Sequence, residues 1–275
     1  MKNIILFFLL FQLGCANMET NNYQFQPLEC NPEEMPKWDG NKVTFLDDAG
    51  NPVKDTIIGR VEKRRTVFKP CREIIYQAEF KTAAGNLISK SRIKMMALGR
   101  RWQFQPEKQD EISIQYEFTQ ADFDRNQQHQ LNRGMLTDKW TGTAKEGIIE
   151  NVEEVWMHPF RSNQYNFTEV APFPQVKFPL RIGKSWTSSL NIQEGWGDWA
   201  NTRKYSEYEV TNKENLRIPF GPISDCWKIK SKSRFELGES TFEYWFNEEL
   251  GFVQMNYKNY GQQTLDIVLI EVTEK

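Results

Sequence analysis

Only two histidines, His129 and His158, occur in the 275 residues. Histidine is the usual general base near neutral pH and the commonest metal ligand, so its scarcity narrows the chemistry at once. No Ser-His-Asp set or Gly-x-Ser-x-Gly elbow can be assembled, and no His/Cys spacing suits zinc. His158 precedes Pro159 and is the sharper candidate for a base or ligand. A structural histidine opening a Pro-rich stretch is the simpler account of it. Asp122-Phe123-Asp124-Arg125-Asn126 alternates oxygen ligands in the manner of a calcium loop. The downstream glycine and bidentate Glu of an EF-hand are missing. The expectation is a protein with no catalytic residue, no metal and no cofactor.

Two other groups of residues could act without a catalytic set. Gly195-Trp196-Gly197-Asp198-Trp199 places two indoles on a Gly-flanked loop. Trp196 and Trp199 would form a platform for the apolar C–H face of a sugar ring, with Asp198 bonding its hydroxyls. The alternative is that both indoles pack on a barrel mouth, where aromatics bring large apolar area. Asp55-Thr56-Ile57 resembles the short O-glycosylation site of Bacteroidota envelope proteins, which makes Thr56 its acceptor. Asn166-Phe167-Thr168 fits the Asn-linked sequon, whose machinery is not expected in this compartment.

Four cysteines carry the remaining chemistry. Cys15 follows Lys2, the apolar run Ile4 to Phe11, and Gln12-Leu13-Gly14. That run suits a signal h-region and is shorter than the roughly 20 residues of a membrane span. The stretch resembles the lipobox of bacterial lipoproteins, with Gln12 where leucine is usual. The resemblance implies cleavage after residue 14 and diacylation of Cys15, which would hold the protein on a membrane. It implies a place in the cell envelope, with the outer membrane expected and both periplasmic and surface-facing orientations open. Cys30, Cys71 and Cys226 then allow one bridge in three pairings. Cys30–Cys71 is favoured because Cys30 lies in a Pro-rich segment that needs tying down. Cys226, in an apolar strand-like run, reads as a buried inert thiol.

Removing the signal takes one basic residue, Lys2, from the 35 basic and 37 acidic side chains, leaving 34 against 37. Such a near-neutral mixture argues against a nucleic-acid partner. Lys63-Arg64-Arg65 reads as a solvated strand end. The partners left open are a glycan, an apolar ligand or an envelope protein.

These residues must be positioned by β-structure. Ile112 to Phe118 alternates apolar and polar, as a half-buried strand does. Glu73–Phe80 and Leu87–Met96 flank Ala83-Ala84-Gly85-Asn86 as a hairpin. Lys42–Leu46 ends in a turn-rich cluster to Pro52, Gly147–Met157 is one strand candidate, and residues 119–135 read as a loop or short helix. Residues 158–186 form a Pro-rich crossing that belongs outside the ladder. Lys204–Val210, Asp225–Lys230, Ser233–Leu237, Thr241–Phe246, Phe252–Tyr257 and Thr264–Val272 follow as short strands. The predicted class is all-β, a curved antiparallel sheet forming an open barrel or sandwich. The predicted organisation is a signal (1–14), a lipidated tether (15–37) and one large β domain (38–275).

Glu154-Val155-Trp156-Met157-His158-Pro159-Phe160-Arg161, Pro172-Phe173-Pro174, and Phe178-Pro179-Leu180 with Gly183-Lys184-Ser185-Trp186 resemble a group of uncharacterised envelope lipoproteins of the Bacteroidota type. Gly221-Pro222-Ile223-Ser224-Asp225-Cys226-Trp227-Lys228-Ile229, followed by Tyr244 to Val253, is similar to the TapB-like module of exported proteins. The resemblance covers roughly residues 150–275 and implies a curved antiparallel sheet. It carries over no catalytic residue. Taken together, the residues predict a membrane-anchored, non-catalytic binding or assembly protein, with a carbohydrate-binding or carbohydrate-active accessory of glycan uptake as the alternative.

Overall fold

The computed structural model describes residues 22–129 and 139–274; Cys15 and its signal lie outside them. β1 (Trp38–Leu46) and β2 (Pro52–Glu62) form a separate two-stranded ribbon. The remaining strands make one 12-stranded sheet. They are β3 (Glu73–Lys81), β4 (Leu87–Arg101), β5 (Asp110–Tyr116), β6 (Thr143–Glu150), β7 (Glu154–Met157), β8 (Gln175–Lys177), β9 (Ser185–Asn191), β10 (Arg203–Ile218), β11 (Gly221–Phe235), β12 (Gly238–Asn247), β13 (Gly251–Lys258) and β14 (Thr264–Thr273). Their spatial order is β8-β7-β6-β5-β4-β3-β14-β13-β12-β11-β10-β9, antiparallel throughout. The chain thus starts at the sheet centre, meanders to one edge, crosses to the other at β9, and returns. β14 then pairs with β3, Leu265 opposite Phe80.

The sheet rolls because its two faces differ. Ile74, Tyr76, Ala78 and Phe80 of β3 are buried on one face, while Glu73, Gln77, Glu79 and Lys81 stand on the other. The same alternation continues through β10 and β14. Register aligns the outer face into charge ladders: Glu209 opposite Lys230, Lys230 opposite Glu243, and Glu207 opposite Lys232. Apolar inside and charged outside is the reverse of a membrane-spanning barrel, which turns an apolar band outward. No helix among the described residues is long and apolar enough to cross a membrane.

The Pro-rich crossing fills the interior of the rolled sheet. Residues 164–176 are buried without a break. The Phe160 and Phe167 rings pack at 5.4 Å against Tyr76 and Phe80 respectively. Inward polar groups satisfy the backbone of the crossing, which has few strand partners. Lys204 Nζ donates to Glu169 O at 2.5 Å and Ala171 O at 2.7 Å, and Tyr208 Oη donates to Phe173 O at 3.1 Å. Tyr244 Oη donates to Gln175 O. Buried backbone carbonyls need such partners, which explains the polar side chains on the inner face.

The segment from Tyr23 to Lys37 touches the sheet at several points. Tyr23 pairs with Phe118, and its ring covers Gly142, where a Cβ would come within 2.0 Å of it. Lys94 Nζ donates to Gln26 O at 2.7 Å, and Glu33 N donates to Gly99 O at 2.9 Å. Cys30 and Cys71 are joined by a disulfide, and Cys226 is a free, buried thiol.

Several local expectations need correction. Lys63 is not solvated; it is ion-paired with Asp110 and lies 3.6 Å from Asp39, both it and Asp39 being nearly inaccessible. Asp122 belongs to α1 (Gln120–His129), within the stretch read as a loop or short helix. Its carboxylate accepts from Thr119 N at 2.9 Å and Thr119 Oγ1 at 2.8 Å, and Asp122 N donates back to Thr119 Oγ1 at 3.3 Å, a reciprocal cap. Gly147–Met157 is two strands, β6 and β7, separated by a turn in which Asn151 Oδ1 accepts from the amides of Glu153 and Glu154. The two strands expected over 225–237 are one, β11.

Candidate functional site

Buried ionisable groups gather at one end of the crossing. Glu146 comes from β6, His158 follows β7, and Arg161 lies three residues further on. Glu169 ends a 3-10 helix (Asn163–Glu169), and Lys204 comes from β10. Arg161 is the hub. Its Nε and Nη2 donate to the two Glu146 oxygens at 2.8 and 2.7 Å, and its Nη1 donates to Glu169 Oε2 at 2.8 Å. Planar guanidinium suits this two-pronged grip. Burial raises the Glu146 carboxyl, and its pairing with Arg161 acts in the opposite direction. Burial pushes Lys204 down to about 7; its ammonium sits 3.4 Å over the Phe173 ring.

The His158 side chain is largely covered. Burial, then the Arg161 charge, hold its proton affinity well below the ordinary value. The ring is enclosed by Trp102, Trp156 and Phe173, and Nδ1 contacts the Gly147 backbone at 3.2–3.3 Å.

In front of Arg161 opens a cleft of about 470 Å³, lined among others by Thr141, Glu146, Asn163, Glu194 and Trp196. Trp196 lies on the β9–β10 loop, and the Arg161 guanidinium is 5.5 Å from the centre of its ring. The two-indole platform does not form. Trp199 is 1% exposed, because its Nε1 finds Tyr260 Oη at 3.0 Å and its ring packs in the core. Trp196 is half-buried, stacked 6.5 Å from Trp199, and Asp198 is exposed beside it. One indole, not two, therefore faces the cleft.

A larger open cleft of about 890 Å³ lies over β9 to β13, against the charge ladders. Among its lining groups are Ser185, Thr187, Glu207, Lys232 and Asn256. Thr56 lies half-buried in β2 opposite Val43, and the neighbouring Asp55 is held by Lys42 at 2.8 Å and Thr44 at 2.7 Å. The Asn166 sequon is buried, with Thr168 Oγ1 donating to Phe160 O at 3.0 Å.

Sequence reasoning did not find the Arg161 cluster. The only local sign is a set of charged residues in stretches that are otherwise inward-facing. Their mates lie eight, 15 and 35 positions away. As for chemistry, two carboxylates, Glu146 and Glu194, line the cleft. Both oxygens of Glu146 accept from Arg161. The arrangement can orient a polar ligand against an indole.

Fold and cleft together define a filled, nearly closed antiparallel β-barrel with a polar cleft at the rim. No family model matches the chain, and no curated protein matches it. Among solved structures, one described as exported and of YmcC-like fold, from Bacteroides fragilis, is 12% identical, with a TM-score of 0.44 over 76% of this chain and 98% of that one. A second, described as a lipoprotein from Parabacteroides distasonis, is 12% identical, with a TM-score of 0.41 over 77% of this chain and 99% of that one.

Proposed function

We propose that the protein is a lipid-anchored, non-catalytic binding protein of the bacterial envelope, at the outer membrane, whose cleft beside Trp196 takes a saccharide. The observation that carries this reading is the Trp196–Arg161 cleft with Thr141, Asn163 and Glu194 around it. Its volume suits a small ligand, and an indole among hydrogen-bonding groups matches a sugar's apolar and hydroxyl faces. An apolar ligand inside the barrel is disfavoured, because the chain's own residues 164–176 occupy that space. Residues 150–275, the TapB-like portion, supply Arg161, Glu169, Trp196 and Lys204; the preceding strands supply Glu146.

The anchor rests on Cys15. Mass spectrometry of the mature N-terminus should find it diacylated, and an unmodified thiol there would remove the anchor. The ligand reading is tested on a glycan array. Wild-type protein should retain at least one saccharide, and Trp196→Ala should release it while its thermal midpoint stays within a few degrees. Retention by Trp196→Ala, or no bound saccharide at all, would refute the cleft as a sugar site.

A further inference from the structure

A second cleft, of about 440 Å³, adjoins the one beside Trp196. Lys139 and Thr141 line both, so the two clefts meet at this short stretch of chain. Thr141 is held there by a reciprocal bridge. Its N–H donates to Asn163 Oδ1 at 2.9 Å, and Asn163 Nδ2 donates to its carbonyl at 2.8 Å. Lys139 and Thr141 are exposed, whereas Trp140 between them is buried edge-on against Phe118 and Phe123. The junction is thus a fixed rim, polar outward and aromatic beneath. The second cleft has its own aromatic wall in Tyr23. That ring is stacked 6.3 Å from Phe118 at 24°, and Tyr23 N donates to Phe118 O at 3.0 Å. It lies so close over Gly142 that no larger residue fits beneath it as placed. The ring is half-buried, and Asn22 sets an amide beside it.

We infer that the two clefts are one groove, that Tyr23 is a second aromatic subsite, and that the ligand is an uncharged oligosaccharide touching both Tyr23 and Trp196. This rests on the saccharide reading of the Trp196 cleft and extends it from one sugar to a chain. Both clefts repeat the same composition, a half-buried aromatic ring beside hydroxyl and amide groups. A ring of that kind offers an apolar face, and the polar groups around it fix orientation. The charged side chains of the groove balance, Lys139 and Arg161 against Glu146 and Glu194, which suits a ligand without charge. A chain bound at one ring meets the other as an intramolecular event, so affinity rises with length until both rings are covered. Gly142 has a place in this account, since only a residue without a side chain lets the Tyr23 ring settle where it does.

The probes are mono- to hexasaccharide ladders of glucose, mannose and N-acetylglucosamine, titrated calorimetrically into the full-length protein. In at least one ladder the longer members should bind wild type about tenfold more tightly than the monosaccharide, or better. Tyr23→Ala should return the hexasaccharide to the monosaccharide's affinity, and Tyr23→Phe should keep the gain. Gly142→Ala, whose Cβ would displace the Tyr23 ring, should repeat the loss. Affinity that does not depend on length, or a gain that survives Tyr23→Ala, overturns the second subsite and leaves the Trp196 reading in place. A Tyr23→Ala loss that falls equally on every length, the monosaccharide included, assigns the ring to support of the fold and overturns it too. If no ladder binds while the glycan array retains another saccharide, the uncharged chain is refuted and the Trp196 cleft stands. If the array is also empty, both readings fall.

Discussion

Trp186 Nε1 on β9 donates to Gln175 Oε1 on β8 at 3.2 Å, joining the two edge strands of the sheet. No backbone ladder crosses this seam. Side chains take its place: Lys184 Nζ also reaches over, donating to Lys177 O at 2.7 Å and Pro179 O at 3.0 Å. The Trp186 ring stacks on Tyr208 at 5.2 Å and 6°, which fixes where its N–H points. The barrel is thus closed by a few long polar side chains laid over a filled interior.

Breaking that contact should loosen one edge only. Trp186→Phe keeps the stacked ring and leaves Gln175 Oε1 without this donor. A buried polar group deprived of its partner costs about 1–3 kcal/mol. Urea unfolding should register this loss, and amide exchange should quicken in β9 while β3 and β14 keep wild-type rates. Uniform quickening across the sheet would contradict a seam effect.

Arg161→Ala should be among the most damaging single changes outside the apolar core. It leaves Glu146 and Glu169, whose side chains are 8% and 4% exposed, without their shared cation. Breaking a buried ion pair by removing one partner costs about 3–5 kcal/mol. Arg161→Lys should recover only part of this, since an ammonium cannot grip Glu146 with two parallel N–H groups. Thermal denaturation of the three proteins gives the ranking.

Lys204 makes stability depend on pH in a defined direction. Burial lowers its folded value to about 7 from an ordinary 10.5. Between those values the unfolded chain binds more protons than the folded one, so this group's contribution rises with pH across the window. Below about 7 the ammonium is charged in both states, and the full burial penalty applies. Lys204→Met should remove that rise. The difference in urea midpoint between wild type and variant, followed from pH 6 to 10, measures it; a constant difference would show that Lys204 does not titrate there.

Much of the sheet was legible because strand burial writes itself into period-two alternation. Glu73–Phe80 is read correctly for that reason, whereas Ile112–Phe118, read as half-buried, forms a strand buried on both faces over Ile112–Tyr116. β9 was missed because an edge strand buries little: inward Trp186, Ser188 and Leu190 are only half-covered, and outward residues are Ser and Thr. β2 was missed because both of its faces meet solvent, so no alternation develops. The Arg161 cluster was invisible because each charge looks local and unpaired until the fold brings its mates together.

What the sequence determined by itself is the all-β class, the alternation that gives the sheet two unlike faces, the scarcity of catalytic side chains, and the thiols free to be modified or paired. Only the tertiary structure decided what occupies the inside of the curved sheet. Pro-rich residues that read as a crossing at the edge or outside of the sheet, packed on the body, lie within the curve, where inward Lys204, Tyr208 and Tyr244 satisfy their carbonyls. That filling sends any ligand to the rim or the outer face. It also decided that Trp199 is core while Trp196 meets the cleft, the Trp199 indole N–H finding a part-buried acceptor in Tyr260.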